Sequence, residues 1–295
     1  MKKRFAAAVC LIATALSLSA CGGSGQTETT AAGGAAESTT AAPAAGVPAG
    51  GKVVRVAAVD PQVALDPQQY TYSIVMKITD NVTESLITTM EDGSLEPNLL
   101  TALPEVSDDG MTYSFELLPD VKFHNGETLK ASDVKYSFER LVKLTKMATL
   151  MENVEGYKEL ADGAAEEMSG IQVQDDTHFT IKLVKPYAPF TSVLSTGYCA
   201  IYPEAACEEA GDTWGMQVLY GTGPFKMDSY QNGVGVTLSR FDDYHGGAVK
   251  LDGVSYKFIE DVNTQVLEYQ KGNVDYVDVD PSIYPVYSSN PELKD

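Results

Sequence analysis

Three histidines are the residues of this chain most suited to metal binding or general acid–base chemistry. His124, His178 and His245 lie in separate segments, outside any HExxH or paired-cysteine spacing that would bind zinc. We interpret His124, which precedes Asn125-Gly126, as part of a tight turn. The sequence therefore predicts no metal site and no cofactor.

A glycine-rich segment, Gly221–Pro224, has part of the composition of a phosphate-binding loop. It lacks the Gly-Lys-Ser/Thr ending of such loops, and we interpret it as a crossing between two parts of the molecule. The chain also has no Gly-x-Ser-x-Gly elbow and no histidine obviously set beside a nucleophile. We therefore expect a binding protein rather than an enzyme, with a secreted hydrolase as the competing class.

Cys21 follows a basic start at residues 1–4, an apolar run over residues 5–18 and the small residues Ser19 and Ala20. This order is typical of a bacterial export signal. The tetrad Leu18–Cys21 resembles a lipobox, which implies that residues 1–20 are a lipoprotein signal and that Cys21 carries the lipid. Residues 21–51 are rich in Gly, Ala, Ser and Thr and predict a flexible linker to the membrane.

Two further cysteines, Cys199 and Cys207, remain in the globular part of the chain. In an oxidising compartment they can form a disulfide if their backbones lie close together. Spacing alone leaves this pairing open.

The chain is strongly acidic, with 21 Lys and Arg residues against 41 Asp and Glu residues and a formal net charge of −20. Phosphate backbones are bound by clustered basic side chains, and the internal segments contain no such cluster. Nucleic acid is therefore excluded as a partner.

From Lys52 onward the hydrophobic pattern predicts secondary structure. Residues 53–59 form an apolar run typical of a strand, and residues 73–87 repeat apolar residues at near-helical spacing. Residues 111–117 alternate as a second strand. A helix that opens at Ser132-Asp133 carries an apolar stripe, which consists of Val134, Phe138, Leu141 and Val142.

Three segments in a fixed order resemble the family 5 extracellular solute-binding proteins, which include dipeptide and oligopeptide binders. They are Leu95–Leu141, then Gly221–Phe225 with Asp243–Gly247, and finally Phe258–Val279. One departure lies in the turn 117–120, where Leu118-Pro119-Asp120 replaces the usual Arg-Lys-Gly-like run.

The resemblance implies an α/β fold of the type II periplasmic-binding-protein kind, with a mixed-sheet lobe and an inserted α/β subdomain. By this assignment residues 52–84 and 215–280 form lobe one, and residues 85–214 form the inserted subdomain. Residues 281–295 begin a second lobe, which is truncated in this sequence.

The ligand of such a protein lies between two lobes, and the segment after the first strand occupies the place where lobe one approaches it. Gln69, Tyr70, Thr71 and Tyr72 are therefore the predicted ligand-binding residues, and covering the core is an equally good interpretation of the tyrosines. Met147 is a weaker candidate for the pocket lining, since core packing explains it better.

The resemblance implies that the protein captures di- or oligopeptides outside the cytoplasm, anchored to the cell membrane, and passes them to the permease subunits and ATPases of an ABC importer. The alternatives are the same fold carrying a nickel chelate, an opine or an oligosaccharide, and a lipoprotein receptor that senses peptides without transporting them.

Overall fold

The computed structural model describes residues 50–279, 281 and 284–288. The predicted signal, the lipidation site Cys21 and nearly all of the predicted linker lie outside these residues, as do most of residues 281–295.

The strands of the described part fall into two four-stranded sheets and one hairpin. Their bounds are β1 Val53–Ala58, β2 Ile87–Thr89, β3 Leu95–Pro97, β4 Glu105–Val106, β5 Thr112–Glu116, β6 Ile171–Val173, β7 His178–Lys182, β8 Phe225–Gln231, β9 Gly235–Arg240 and β10 Gly253–Phe258.

The α-helices pack on these sheets or connect them. Their bounds are α1 Ser73–Thr79, α2 Ala131–Lys143, α3 Tyr157–Ala161, α4 Phe190–Val193, α5 Glu204–Ala210, α6 Val262–Gln270 and α7 Tyr284–Ser288. Short 3-10 turns occur at Ala148–Met151, Gly197–Cys199 and Gly211–Thr213.

The first sheet, which we call the mixed sheet, has the strand order β1-β10-β9-β8. β1 runs parallel to β10, with Val53 opposite Gly253, and the other neighbours are antiparallel. Val75 and Ile78 of α1 are fully buried in the core of this sheet, together with Val236 and Leu238 of β9. The strand predicted at residues 53–59 is thus present and ends one residue early.

The second sheet, which we call the antiparallel sheet, has the order β4-β5-β7-β6. The predicted strand at residues 111–117 corresponds to β5, whose Tyr113 and Phe115 point into its core. The apolar stripe of α2 is buried in the same core, as its helical period predicted. Asp133 caps this helix by accepting a hydrogen bond from the Lys130 N–H at 2.9 Å.

The helix predicted over residues 73–87 is wrong beyond Thr79, where α1 ends. Val82 and Leu86 are fully buried, but Val82 lies in a turn and Leu86 in a bend rather than on a helix. The backbone of this stretch pairs with distant residues instead: Gly223 donates to the Val82 carbonyl at 3.0 Å, and Ile201 donates to the Glu84 carbonyl at 3.0 Å. Tertiary hydrogen bonding therefore replaces the local helical pattern.

The mixed α/β architecture agrees with the predicted fold class, whereas the domain boundaries remain predictions. Ala200, Tyr202, Cys207 and Trp214 pack in the core of the mixed sheet. This packing suggests that the chain passes from the inserted subdomain back to lobe one near residue 200. The predicted boundary lies later, between residues 214 and 215.

Candidate functional site

The segment between β1 and α1 presents two tyrosine rings at the surface. The rings of Tyr70 and Tyr72 are stacked, with centroids 6.5 Å apart and an interplanar angle of 25°. Tyr70 packs partly against the core of the mixed sheet, whereas Tyr72 is 53% exposed. Gln69 is half-buried and Thr71 is exposed beside them. We call residues 69–72 the tyrosine wall.

The two tyrosines differ in burial, and their role in ligand binding stays a prediction. Tyr70 covers core side chains, and Tyr72 extends the flat aromatic surface into solvent. Among the described residues, neither hydroxyl has a hydrogen-bond partner. The wall thus offers an apolar face together with two hydroxyls that can bond a ligand.

A buried ion pair holds the chain just before the wall. The Arg140 guanidinium of α2 donates from Nη2 to Asp66 Oδ2 at 2.6 Å, and Asp66 is completely buried. Burial opposes the charge on Arg140, but the Asp66 carboxylate outweighs this effect and raises the pKa of the guanidinium. Arg140 therefore keeps its charge inside the protein.

Gln68 completes this anchor instead of facing a ligand. Its side chain is fully buried; Oε1 accepts a hydrogen bond from Arg140 Nη1 at 2.7 Å, and Nε2 donates to the Ser137 carbonyl at 3.0 Å. The Arg140 guanidinium also lies over the ring of Tyr202, 5.4 Å from its centroid. We call Asp66, Gln68, Arg140 and Tyr202 the wall anchor.

Sequence reasoning missed Asp66 and Arg140 as residues of the site. A signal for Arg140 was present, because Asp133, Ser137 and Arg140 form a polar row at helical spacing beside the apolar stripe of α2. Asp66 gave no comparable signal, since its partner lies 74 residues away.

The structure does not bring Met147 to the tyrosine wall. Met147 and the neighbouring Leu150 are half-buried and pack against the core of the antiparallel sheet. Their role in the described part of the chain is packing, and Met147 stays only a prediction as a ligand residue.

Cys199 and Cys207 are both free and buried. Cys199 accepts a hydrogen bond from Thr196 Oγ1 at 3.6 Å and packs in the core of the antiparallel sheet, whereas Cys207 on α5 packs in the core of the mixed sheet. Because the two thiols belong to different cores, the disulfide that the sequence left open is not formed in the structure.

Residues 221–225, which we call the crossing segment, run against residues 81–84. A Cβ atom at Gly221 would lie 2.2 Å from the Val82 carbonyl oxygen, and one at Gly223 would lie 2.8 Å from it. The two glycines therefore permit a close backbone approach.

His124 bonds the crossing segment from the turn that the sequence predicted. Its Nδ1 accepts a hydrogen bond from the Gly221 N–H at 3.2 Å, so Nε2 carries the proton and donates to the Gly223 carbonyl at 2.9 Å. Burial is the main cause that lowers the pKa of His124 to about 4. The ring is thus a neutral cross-link rather than a metal ligand.

A second polar cluster, centred on Glu84, also bonds the crossing segment. Glu84 accepts hydrogen bonds from the hydroxyls of Thr222 at 2.8 Å and Tyr244 at 2.9 Å, and its Oε2 lies 2.8 Å from His245 Nε2. Burial, reinforced by the Glu84 carboxylate, raises the pKa of Tyr244. Thr222, Tyr244 and His245, which belong to the second family-like segment, therefore make structural contacts with Glu84.

Near the end of the described part, residues 275–278 lie alongside β1 of the mixed sheet. Tyr276 pairs with Val56 in a parallel bridge, and the Ala57 N–H donates to the Tyr276 carbonyl at 2.9 Å. Arg55 holds Asp275 at 2.7 Å, and Lys77 of α1 forms an ion pair with Asp278. Residues 275–278 therefore add to the sheet at the edge from which the tyrosine wall also starts.

Among the residues that the structure describes, no helix combines the length and apolar character needed to span a bilayer. The same residues contain no group of three or more His, Cys, Asp and Glu side chains arranged to hold a metal ion.

The described residues thus combine a mixed sheet, an antiparallel sheet packed on a helix and a stacked pair of tyrosine rings at the surface. Residues 94–295 match the sequence profile of the bacterial extracellular solute-binding proteins, family 5 Middle. The chain belongs to this family, which is one of solute-binding proteins and not of enzymes, and the resemblance given by its three segments is confirmed.

Characterised relatives agree with this assignment. A dipeptide-binding protein of Lactococcus lactis is 28% identical over 75% of this chain and 41% of its own length. The oligopeptide-binding protein AppA of Bacillus subtilis is 26% identical over 96% of this chain and 49% of its own length. The chain therefore spans about half the length of the curated relatives it matches.

Solved structures share the fold. The substrate-binding domain of an oligopeptide ABC transporter from Bacillus anthracis superposes with a TM-score of 0.76 at 22% identity, over 83% of this chain and 49% of that one. OppA of Listeria monocytogenes bound to peptide gives a TM-score of 0.75 at 21% identity, over 82% of this chain and 49% of that one.

Proposed function

We propose that this protein captures short peptides outside the cytoplasm and delivers them unchanged to an ABC importer. The observation that carries the proposal is the tyrosine wall, a rigidly anchored aromatic surface at the edge of the mixed sheet. The dipeptide-binding and oligopeptide-binding relatives support a peptide as the solute.

A peptide fits the chemistry of this wall. Its planar amide groups stack on flat aromatic rings, and its backbone N–H and C=O groups can bond the hydroxyls of Tyr70 and Tyr72, which have no partner among the described residues. Recognition of backbone groups tolerates varied side chains. A carrier with such a wall is suited to a class of peptides rather than to one sequence.

The localisation and partners form part of the same proposal. The sequence of residues 1–21 supports export and lipidation at Cys21, and the linker would keep the binding domain near the membrane. There the protein would meet the permease subunits of the importer, which its ATPases power. Metabolic labelling with a palmitate analogue tests the anchor: wild type should be labelled and Cys21→Ser should not.

Binding is tested by incubating the purified protein with a pool of di- to hexapeptides with free termini and detecting complexes by native mass spectrometry. We expect saturable peptide binding, which Tyr72→Ala weakens about tenfold because it removes an exposed contact face. Tyr269→Ala provides the matched control, since Tyr269 is also exposed but lies on α6.

A wild-type protein that binds no member of the pool would contradict the peptide assignment. A nickel chelate, an opine and an oligosaccharide tested in parallel then distinguish the predicted alternatives. Uptake of a bound peptide by cells with and without the gene separates transport from sensing.

A further inference from the structure

We infer that Arg140 is a positioning residue for ligand capture: from α2 it fixes the backbone that presents the tyrosine wall. This inference rests on the proposed function for its consequence in binding, but the structural effect on the wall is measurable without any ligand.

The first argument is the backbone hydrogen bonding of the wall, which converges on one residue. The N–H groups of Gln69 and Tyr70 donate to the Asp66 carbonyl at 3.0 and 2.9 Å. The Gln68 N–H donates to Asp66 Oδ1 at 3.0 Å. The placement of Asp66 therefore sets where the wall begins.

The second argument is that Arg140 is the cation that holds Asp66. Its guanidinium is 12% exposed, reaches Asp66 Oδ2 at 2.6 Å with one nitrogen and uses the other for Gln68 Oε1 at 2.7 Å. The flat fork of arginine makes both bonds at once, whereas a lysine ammonium is a point charge that cannot reproduce this geometry.

The third argument concerns the cost of an unpaired charge. Asp66 and Gln68 are both completely buried, so loss of Arg140 would leave a carboxylate and an amide without their partner in the interior. Movement of residues 66–70 toward water would lower the free-energy cost of the unpaired groups. The tyrosine wall would move with these residues. A helix buried against the antiparallel sheet thus controls a surface on the mixed sheet.

Hydrogen exchange of the ligand-free protein tests the structural part. We expect the amides of residues 68–70 to exchange at least about tenfold faster in the Arg140→Lys variant than in wild type. The double variant Asp66→Asn/Arg140→Met leaves no unpaired charge, so it should fold even if a single truncation does not. It still lacks the bonds from Arg140 to residues 66 and 68, so residues 68–70 should exchange faster in it as well. Arg240→Met is the control, because Arg240, the last residue of β9, also forms ion pairs, with Asp242 and Asp252.

The amides of β5 serve as an internal reference, since a general loss of stability would accelerate their exchange as well. Faster exchange confined to residues 68–70 supports the positioning role. Exchange at residues 68–70 that matches wild type in both variants, or that rises only together with β5, would overturn it.

The peptide pool then tests the consequence. We expect a loss of affinity of about tenfold in both variants and none in Arg240→Met. If wild type binds no peptide, the proposed function fails while the exchange result still decides the role of Arg140. If wild type binds and the variants bind equally well, the inference fails and the proposed function stands.

Discussion

His124 is held neutral by the same contacts that fix the crossing segment. Its Nδ1 must accept the hydrogen bond from Gly221, and protonation of that nitrogen would remove the acceptor. The ring contributes a cross-link between residues 97 positions apart. At the scale of single residues, a histidine that the sequence placed in a turn therefore has a structural role in joining two segments.

This role predicts a pH-dependent stability. The pKa of His124 is lowered from its usual value of 6.5 to about 4, so its contribution is fully present above pH 6.5 and is lost as the pH falls toward 4. Chemical denaturation at pH 7 and pH 4 should show that wild type loses about 3 kcal/mol more than His124→Gln, which keeps a donor and an acceptor but does not titrate.

The matched control is Gln172→Asn, because Gln172 is exposed and the change adds or removes no titratable group. This variant should keep the pH dependence of wild type. Identical pH dependence in wild type and His124→Gln would show that the ring does not titrate as a buried neutral group.

Thr145 gives a second prediction at this scale. It follows the end of α2 with a φ of 67°, a conformation that a β-branched residue adopts at a cost and glycine adopts freely. Thr145→Gly should raise the free energy of unfolding by about 1 kcal/mol, measured by chemical denaturation. Thr149→Gly, in the 3-10 turn Ala148–Met151, should lower it instead.

Short elements join the two sheets through close backbone contacts. The stretch after α1 forms backbone hydrogen bonds with the crossing segment. The side chains of Glu84 and His124 also bond this segment. Side chains larger than hydrogen do not fit at Gly221 or Gly223. The geometry between the sheets depends on these few residues.

Gly221→Ala should therefore be strongly destabilising. The added Cβ would lie 2.2 Å from the Val82 carbonyl oxygen, and backbone must move to accept it. We expect a loss of at least about 2 kcal/mol in thermal or chemical unfolding. Gly247→Ala should cost only about 1 kcal/mol, because its φ is 88° but nothing lies within 4 Å of the added Cβ. Equal losses in the two variants would contradict the close-approach argument.

At the scale of the whole molecule, two hydrophobic cores divide the described residues. One core lies beneath the antiparallel sheet with α2, and the other beneath the mixed sheet with α1 and α5. The wall anchor connects them, because Arg140 leaves the helix of the first core to bond Asp66 beside the second. The tyrosine wall beside one core is thereby tied to the other core.

The separate cores predict the state of the cysteines. Burial raises the pKa of Cys199 to about 12 and also raises the pKa of Cys207, so neither thiol forms the reactive thiolate in the native state. A thiol reagent should label neither cysteine in the native chain lacking residues 1–21 and both in denaturant. A Ser192→Cys variant, at an exposed position, should react natively and so controls for reagent activity.

A chain that shows no free thiol after denaturation would contradict this prediction. It would indicate that Cys199 and Cys207 pair in the exported protein and that the segment between them rearranges to allow it.

The sequence by itself determined the parts of the molecule that depend on local pattern. The strand β1 and the buried stripe of α2 follow from periodicity, and the turn at Gly126, which has a positive φ, follows from the freedom of glycine. The order of the family-like segments also indicated the fold class.

Only the tertiary structure decided where α1 ends, which residue anchors the tyrosine wall and how His124 and Glu84 hold the crossing segment. Each of these features is a contact between residues far apart in the chain, such as Asp66 with Arg140 or Glu84 with Thr222. A single sequence records local spacing but not which distant groups meet. Burial strengthens the hydrogen bonds and ion pairs of these polar groups, and it arises only when the two cores assemble.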